Sequence, residues 1–447
     1  MTRKILSVLI LTLVILFLTG CSALDKYVKD MEVQPEESQI KPWTIMLYVA
    51  ADLDKDLAKM LLEEVEAVLK VGSTGNAHVV AQIDYEGKKA EAERYYVYRK
   101  KLARRAKLGK INMGDPGTLE SFLEWGMSYP SEKKALIVMG RGTGWISLNQ
   151  VKSRSFAYSD TENDSITLFQ AKEVFEKVLN GKKIDVLAFN SGFMNQLEVA
   201  YQLKDYAKYM VAAETDMPGI GFDYSMFLHP LKEKNTDALE FSKQVFVSGQ
   251  AKHLFMVKRA NDILKKIKDN YHNWDSNDHY VPEIPEKICK KIINSSYQIA
   301  LIDMQEVENF GQKVSTFVDS MTSLSEENRE EFKYAIDFAR KNSAGFAPLF
   351  SELNGKKEYI DMNDFLLELY NKIKNEEVSQ NIVVAVEALY KVVLDTYYRG
   401  NNVKYSMTSV YFPENFEIYD RILGNIYSNL DWTQDTGWDK FLQEVRK

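Results

Sequence analysis

Cysteine is nearly missing from this chain: 447 residues hold two, Cys21 and Cys289. Two thiols cannot build a multi-bridge disulfide framework or a structural zinc site, so stability rests on a packed core. Cys289 sits among Ile288, Ile292 and Ile293 and reads as a packed, inert thiol. Histidine is scarce as well, with five: His78, His229, His253, His272 and His279. His78 opens a strand and His229 precedes Pro230, so both read as structural. An excess of positive charge is missing too. The formal net charge of -7 excludes a protein whose whole surface is built for nucleic acid. No repeat of fixed period and no low-complexity tract occurs. No metal site and no cofactor is expected.

What is present is ordinary globular composition, 45% apolar and 27% charged, in a chain long enough for two or three domains. The N-terminus stands apart. MTRK carries Arg3 and Lys4, ILSVLILTLVILF is an apolar run, and LTGC ends at Cys21. The run is shorter than the roughly 20 residues of a membrane span, so residues 1–20 read as a signal peptide. Small residues just before Cys21 resemble a bacterial lipobox, in which cleavage precedes the cysteine and its thiol takes diacylglycerol. Several acyl chains anchor stably where one is marginal. The expectation is an extracytoplasmic body held on the bacterial cell membrane through acylated Cys21. Residues 21–42, polar and without period beyond that cysteine, read as a tether.

From Trp43 onward, continuous apolar runs alternate with helical periodicity. WTIMLYVAA, HVVAQIDY, ALIVMG, IDVLAF and YMVAAET read as strands, with YYVYR as a hairpin arm. Between them, LDKDLAKMLLEEVEAVLKV, TLESFLEWGMSYP, SITLFQAKEVFEKVLNGKK and NQLEVAYQLK read as helices. That pattern predicts an α/β domain over residues 43–232, a mostly parallel sheet sandwiched by helices. Residues 233–447 read as a helix-rich α+β region with two isolated strands, YQIALIDM and KYSMTSVYFP. The site is expected beyond the C-terminal ends of the strands.

Two turns fall on that rim: GRGTGW after ALIVMG, and NSGF after IDVLAF. Backbone amides near Gly142, Gly144 and Gly192 suit an anion or an oxyanion, and Arg141 offers a bidentate fork. The same glycines also serve as plain tight turns. Asp160, Glu162 and Asp164 form an acidic loop with alternating oxygens, but without the glycine and distal glutamate of an EF-hand they read as solvated. The basic run Arg99 to Lys110 reads as a solvated hairpin, or as a surface attracted to anionic lipid or cell-wall polymer.

The segments WTIMLYVAADLDKDL, INMGDPGTLESFLEWGMSYP, DVLAFNSGFMNQLEVAYQL, MVAAETDMPGIGFDY, SMTSVYFP and DTGWDKFL are similar to those of the clostripain-like cysteine peptidases. The resemblance runs from Trp43 to Leu442 and implies a caspase-like fold. It also implies a catalytic histidine in Asn-His-Gly-x-Gly-Trp and a nucleophile in Phe-Asp-x-Cys, whose aspartate lines the pocket for a basic substrate side chain. Here the first motif reads Gly140, Arg141, Gly142, Thr143, Gly144, Trp145, and the second Phe189, Asn190, Ser191, Gly192. Arg141 stands for the base, Gly192 for the nucleophile and Asn190 for the acid. A glycine offers no nucleophile, and an arginine that stays protonated accepts no proton.

The expectation is therefore a pseudopeptidase, catalytically silent at Arg141 and Gly192, with Ser191 as a substitute nucleophile in the alternative reading of a hydrolase with relocated residues. Arg141, Gly142, Gly144, Asn190 and Ser191 are expected to hold a peptide, protein or envelope ligand in the former cleft, and no nucleic acid partner is expected.

Overall fold

The computed structural model describes residues 24–446 apart from 54, 86–90, 147–155, 160, 218–220, 273–283, 324–325, 347–357, 401–406 and 418. In chain order the strands are β1 Val28–Asp30, β2 Lys41–Ala50, β3 Ala77–Asp84, β4 Ala92–Tyr98, β5 Lys101–Gly109, β6 Ser131–Met139, β7 Ala157–Ser159 and β8 Asp164–Ile166. They continue with β9 Ile184–Asn190, β10 Ala207–Ala212, β11 Tyr297–Asp303, β12 Gly345–Phe346, β13 Tyr359–Asp361, β14 Val393–Arg399 and β15 Ser409–Tyr411. One sheet takes ten of them in the order β1-β5-β4-β3-β2-β6-β9-β10-β11-β14.

Its centre is parallel: β2 pairs with β3 and β6, β6 with β9, and β9 with β10. Parallel strands covered on both faces have no solvent side, which is why these segments read as unbroken apolar runs. Within β2 the two faces separate cleanly. Met46, Tyr48 and Ala50 enter the core shared with helices α2 (Pro116–Met127) and α3 (Leu168–Leu179), whereas Trp43, Ile45, Leu47 and Val49 enter the opposite core under α1 (Lys55–Leu69). Local signals set the helix ends. Thr167 and Gln170 form a capping box at the start of α3, and Asn180 leaves it in the left-handed region at φ 48°.

Among the described residues the remaining α-helices are α4 Leu197–Leu203, α5 Tyr224–Leu228, α6 Ala238–His272, α7 Glu286–Asn294, α8 Val307–Thr322, α9 Glu326–Asn342, α10 Met362–Tyr370, α11 Glu376–Val392, α12 Gly424–Tyr427, α13 Asp431–Thr436 and α14 Trp438–Val445. Residues 233–447 extend the sheet and fill its cores. Strands β11 and β14 continue it antiparallel from β10. Val314 and Phe317 of α8 and Leu389 of α11 join the core beneath α2 and α3, and Phe241 and Val245 of α6 join the core beneath α1. The long helix α6 runs 35 residues, well past His253, because Val257, Ala260 and Ile263 keep its buried stripe going.

Residues 24–40, expected as part of a tether, instead lie along the edge of the sheet. Leu24 is fully buried, and β1 pairs in parallel with β5 through Val28 and Leu102. The composition is polar because the contacts are. Buried Glu37 takes a bidentate contact from Arg105, with Nε to Oε2 at 2.9 Å, and accepts from the Tyr98 hydroxyl at 2.7 Å. Arg104 donates to Asp30 at 2.7 Å and lies 2.9 Å from Glu93. Two arginines of the basic run are thus structural.

Arg105→Ala strands the Glu37 carboxylate and is expected to cost about 3–5 kcal/mol in denaturant unfolding, as for one half of a buried ion pair. Glu198 of α4 accepts from the Tyr411 amide at 2.7 Å and the Tyr427 hydroxyl at 2.8 Å, and burial pushes its carboxyl from 4.5 up to about 7. The folded chain therefore holds this proton more tightly than the unfolded chain. Its contribution is most favourable below 4.5 and is lost as the pH rises through about 7. Unfolding free energies measured from pH 4 to 8 are expected to fall less steeply in Glu198→Gln than in the native chain.

Candidate functional site

The rim is built where β6 and β9, adjacent and parallel, both end: β6 at Met139 and β9 at Asn190. The turns that follow lie directly on one another. A Cβ added to Gly142 would sit 2.5 Å from the Gly192 carbonyl oxygen and 2.8 Å from Met194. Gly144, at φ +74°, abuts the Gln196 amide, and the Trp145 amide donates to Gln196 Oε1 at 3.2 Å. The sequence therefore identified two turns that do meet. Gly142 and Gly144 are buried between them, and Arg141 is partly exposed.

Gly192 has a further neighbour. Beyond β10 the backbone of residues 213–217 runs alongside the turn, where Phe193 donates to Thr215 O at 3.1 Å and Asn195 to Ala213 O at 2.9 Å. Phe193 takes φ +60° to do so. A Cβ at position 192 would lie 2.9 Å from Asp216 Cα, 3.0 Å from Thr215 O and 3.2 Å from Met217 N. Backbone cannot swing aside as a flexible side chain does. The glycine is thus required by the packing, and the place of a larger side chain is taken.

Ser191 is 2% exposed, and its hydroxyl, buried among the described residues, has no hydrogen-bond partner. Asn190 is buried and donates through Nδ2 to the Glu64 carboxylate and to the Tyr224 hydroxyl, the latter at 3.0 Å. Burial pushes the Glu64 carboxyl up to about 8. The amide of Asn190 satisfies this carboxyl without bringing a second titrating group into the buried site. Sequence reasoning missed Glu64, which comes from the middle of α1, as well as Gly221, whose left-handed backbone at φ +55° lies against the same carboxylate.

It also missed the brace from the C-terminal half. Asn195 Nδ2 donates to Gln298 Oε1 at 3.2 Å and to Met407 O at 2.8 Å, and Gln298 Oε1 receives the Glu214 amide at 2.9 Å. Gln298 and Met407 stand more than a hundred positions from Asn195, so no local pattern announces them.

The histidines are elsewhere. His78 contacts the Gln39 carbonyl at 2.9 Å and the Tyr96 hydroxyl at 3.0 Å. His253 stacks on Tyr297 at 4.3 Å, and burial holds both imidazoles down to about 4. His229 is exposed beside Lys232 at the far end of the sheet. The His272 side chain and His279 lie outside the described residues, as do Cys21 and Asp160. Asp164 accepts from Asn112 at 2.7 Å, and among the described residues no group of three or more His, Cys, Asp or Glu is placed to hold a metal ion. At the ends of β2 and β3, Asp52 accepts from Ser159 and Thr161, while burial and the Asp52 charge push Asp84 up to about 7. Cys289 is buried and free, and its thiol is pushed up by burial.

Residues 48–444 match the model of the clostripain family. Clostripain of Hathewaya histolytica is 25% identical over 242 residues, 46% of this chain, and the match spans about half, 45%, of that relative's length. Among solved structures, a secreted C11 cysteine protease from Bacteroides thetaiotaomicron, in complex with an irreversible peptide inhibitor, superposes with a TM-score of 0.58. That match is 16% identical and covers 89% of this chain and 99% of the other. An inactive zymogen C11 protease from Parabacteroides distasonis gives the same TM-score of 0.58 at 15% identity, covering 89% and 98%. At such identities the structures speak for the fold. Among the described residues no helix is long and apolar enough to cross a membrane. With a family match that spans nearly all of the folded body, the chain belongs to the clostripain family.

Proposed function

We propose that this protein is a pseudopeptidase: a surface lipoprotein that keeps the clostripain-family fold and uses its rim to bind rather than cleave. The observation that carries the reading is the packing at Gly192. The position of the family's nucleophile has no side chain, and residues 215–217 occupy the space one would need. At the position of the base stands Arg141, which stays protonated across the physiological range and accepts no proton. Asn190, at the position of the acid, is engaged with Glu64 and Tyr224.

The alternative, in which Ser191 replaces the nucleophile, has no such support. Its hydroxyl is buried, and no described histidine or carboxylate lies within hydrogen-bonding distance of it. Binding is a role the rim can keep without these groups. Arg141 is its partly exposed member, and a guanidinium suits a carboxylate or another anionic group of a peptide, protein or envelope ligand. The lipobox at Cys21 and the secreted relative support a position outside the cytoplasmic membrane.

Residues 22–447 are expected to cleave no peptide with Arg, Lys or an uncharged residue before the scissile bond. Cleavage that disappears in Ser191→Ala would overturn the proposal. Gly192→Ala is expected to lower stability by about 1–3 kcal/mol through overpacking against backbone, read by thermal or denaturant unfolding. For the same reason Arg141→His with Gly192→Cys is expected to stay inactive. Cys21→Ser is expected to release the protein from the cell membrane into the medium and to abolish its labelling by radioactive palmitate.

A further inference from the structure

The chain enters its folded body at the end of the sheet opposite the rim. Leu24 is fully buried there, and Val28 pairs with Leu102, close to the β4–β5 turn at Arg99 and Lys100. That turn is fixed to the end of α1, since the Lys100 amide donates to Leu69 O at 2.8 Å. Because β2, β3, β6 and β9 are parallel, their N-terminal ends all lie on this side. The loop before α6 closes over it as well: Thr74 and Asn76 donate to Leu231 O at 2.8 and 3.1 Å.

This end is basic on a chain of net charge -7. Lys70, Arg99, Lys100 and Lys101 are exposed around the β4–β5 turn, with Lys182 ahead of β9 and Lys232 beside Leu231. Of the acids at this end, Asp205 and Asp185 are held by Lys204 at 2.8 Å and by Lys208 at 2.7 Å, and Glu132 by Lys133 at 3.5 Å, while Asp25 and Glu233 are exposed. The rim, by contrast, carries Asp52, Asp84 and Glu162 at the opposite ends of the strands.

We propose that this basic end is a membrane-docking surface that seats against anionic lipid headgroups and holds the rim turns outward. The inference rests on the lipid-anchor reading of Cys21. Three Cα steps separate Cys21 from buried Leu24, which spans at most about 11 Å of chain. Such a reach is comparable to the Debye length of about 8–10 Å at physiological salt, so the cations around the turn lie within the field of the headgroups. The anchor is therefore a short attachment, and the basic surface supplies a second membrane signal beside the acyl chains. Strand β2 has ten residues, so the rim stands roughly 30 Å above the seated end. A ligand would then be met on the side facing away from the bilayer.

The test attaches the chain chemically, so that it does not depend on natural lipidation. Residues 21–447 are coupled through Cys21 to maleimide-bearing lipids, since Cys289 is buried, in phosphatidylglycerol or phosphatidylcholine vesicles, and amide hydrogen exchange is compared with the uncoupled chain. The expected result is slowed exchange around residues 98–101, 180–183 and 231–234 on phosphatidylglycerol vesicles, with the 140–146 and 191–196 turns unchanged. Slowed exchange at the rim, or no difference anywhere on phosphatidylglycerol, would overturn the proposal. In a second measurement, residues 22–447 without any lipid are co-sedimented with phosphatidylglycerol vesicles. Lys100→Glu, Lys101→Glu and Lys182→Glu together are expected to weaken binding by at least about a hundredfold. Equal binding by the variant would also count against it. Release of Cys21→Ser from cells tests the anchor reading alone, so a failure of the docking surface is distinguishable from a failure of the anchor on which it rests.

Discussion

The site depends on a contact between two stretches of backbone. The turn after β9 runs beside residues 213–217 so closely that Gly192 has no room for a Cβ. The hydrogen bonds of Phe193 and Asn195 to Thr215 and Ala213 hold that spacing. The neighbouring features are consequences. Asn195 turns inward to Gln298 and Met407, Gln196 supports the 140–146 turn through the Trp145 amide, and Ser191 is left buried. This chain needs the absence of a side chain at Gly192. On the pseudopeptidase reading proposed above, the same packing leaves no room for a nucleophile there.

A similar exchange of roles is visible at Asn190. Where the family resemblance implies an acid available to a substrate, an amide here faces inward and satisfies a buried glutamic acid from α1. Burial keeps that carboxyl protonated to about pH 8, so the pair presents little charge to a ligand at neutral pH. The charge that remains on the rim comes from Arg141 and from the acids at the ends of β2 and β3.

The sheet and its helices were largely legible in the sequence because their signals are periodic and local. Strand β2 could be read from Trp43 to Ala50, and α3, Leu168–Leu179 with Asn180 as its cap, lies within the segment SITLFQAKEVFEKVLNGKK. The assignment of Arg141, Gly192 and Asn190 to three family positions rests on the resemblance and is part of the proposal. What was not legible depends on contacts distant in sequence. Glu64 meets Asn190 across 126 positions, and Gln298 meets Asn195 across 103. The supposed tether failed for the same reason. A polar segment without period gives no sign that Glu37 is buried until Arg105 and Tyr98 are seen around it. The anion cradle expected from Gly142 and Gly144 is likewise a matter of which side the turns face, and they face each other.

The most direct test of the central claim, that the rim carries no competent nucleophile, is the intact mass of residues 22–447 after incubation with irreversible peptide ketone inhibitors bearing Arg, Lys or an uncharged residue next to the electrophile. The account predicts an unchanged mass, with buried Cys289 unmodified. A stoichiometric adduct mapped to Ser191 or to any other residue of the 140–146 and 190–196 turns would contradict it.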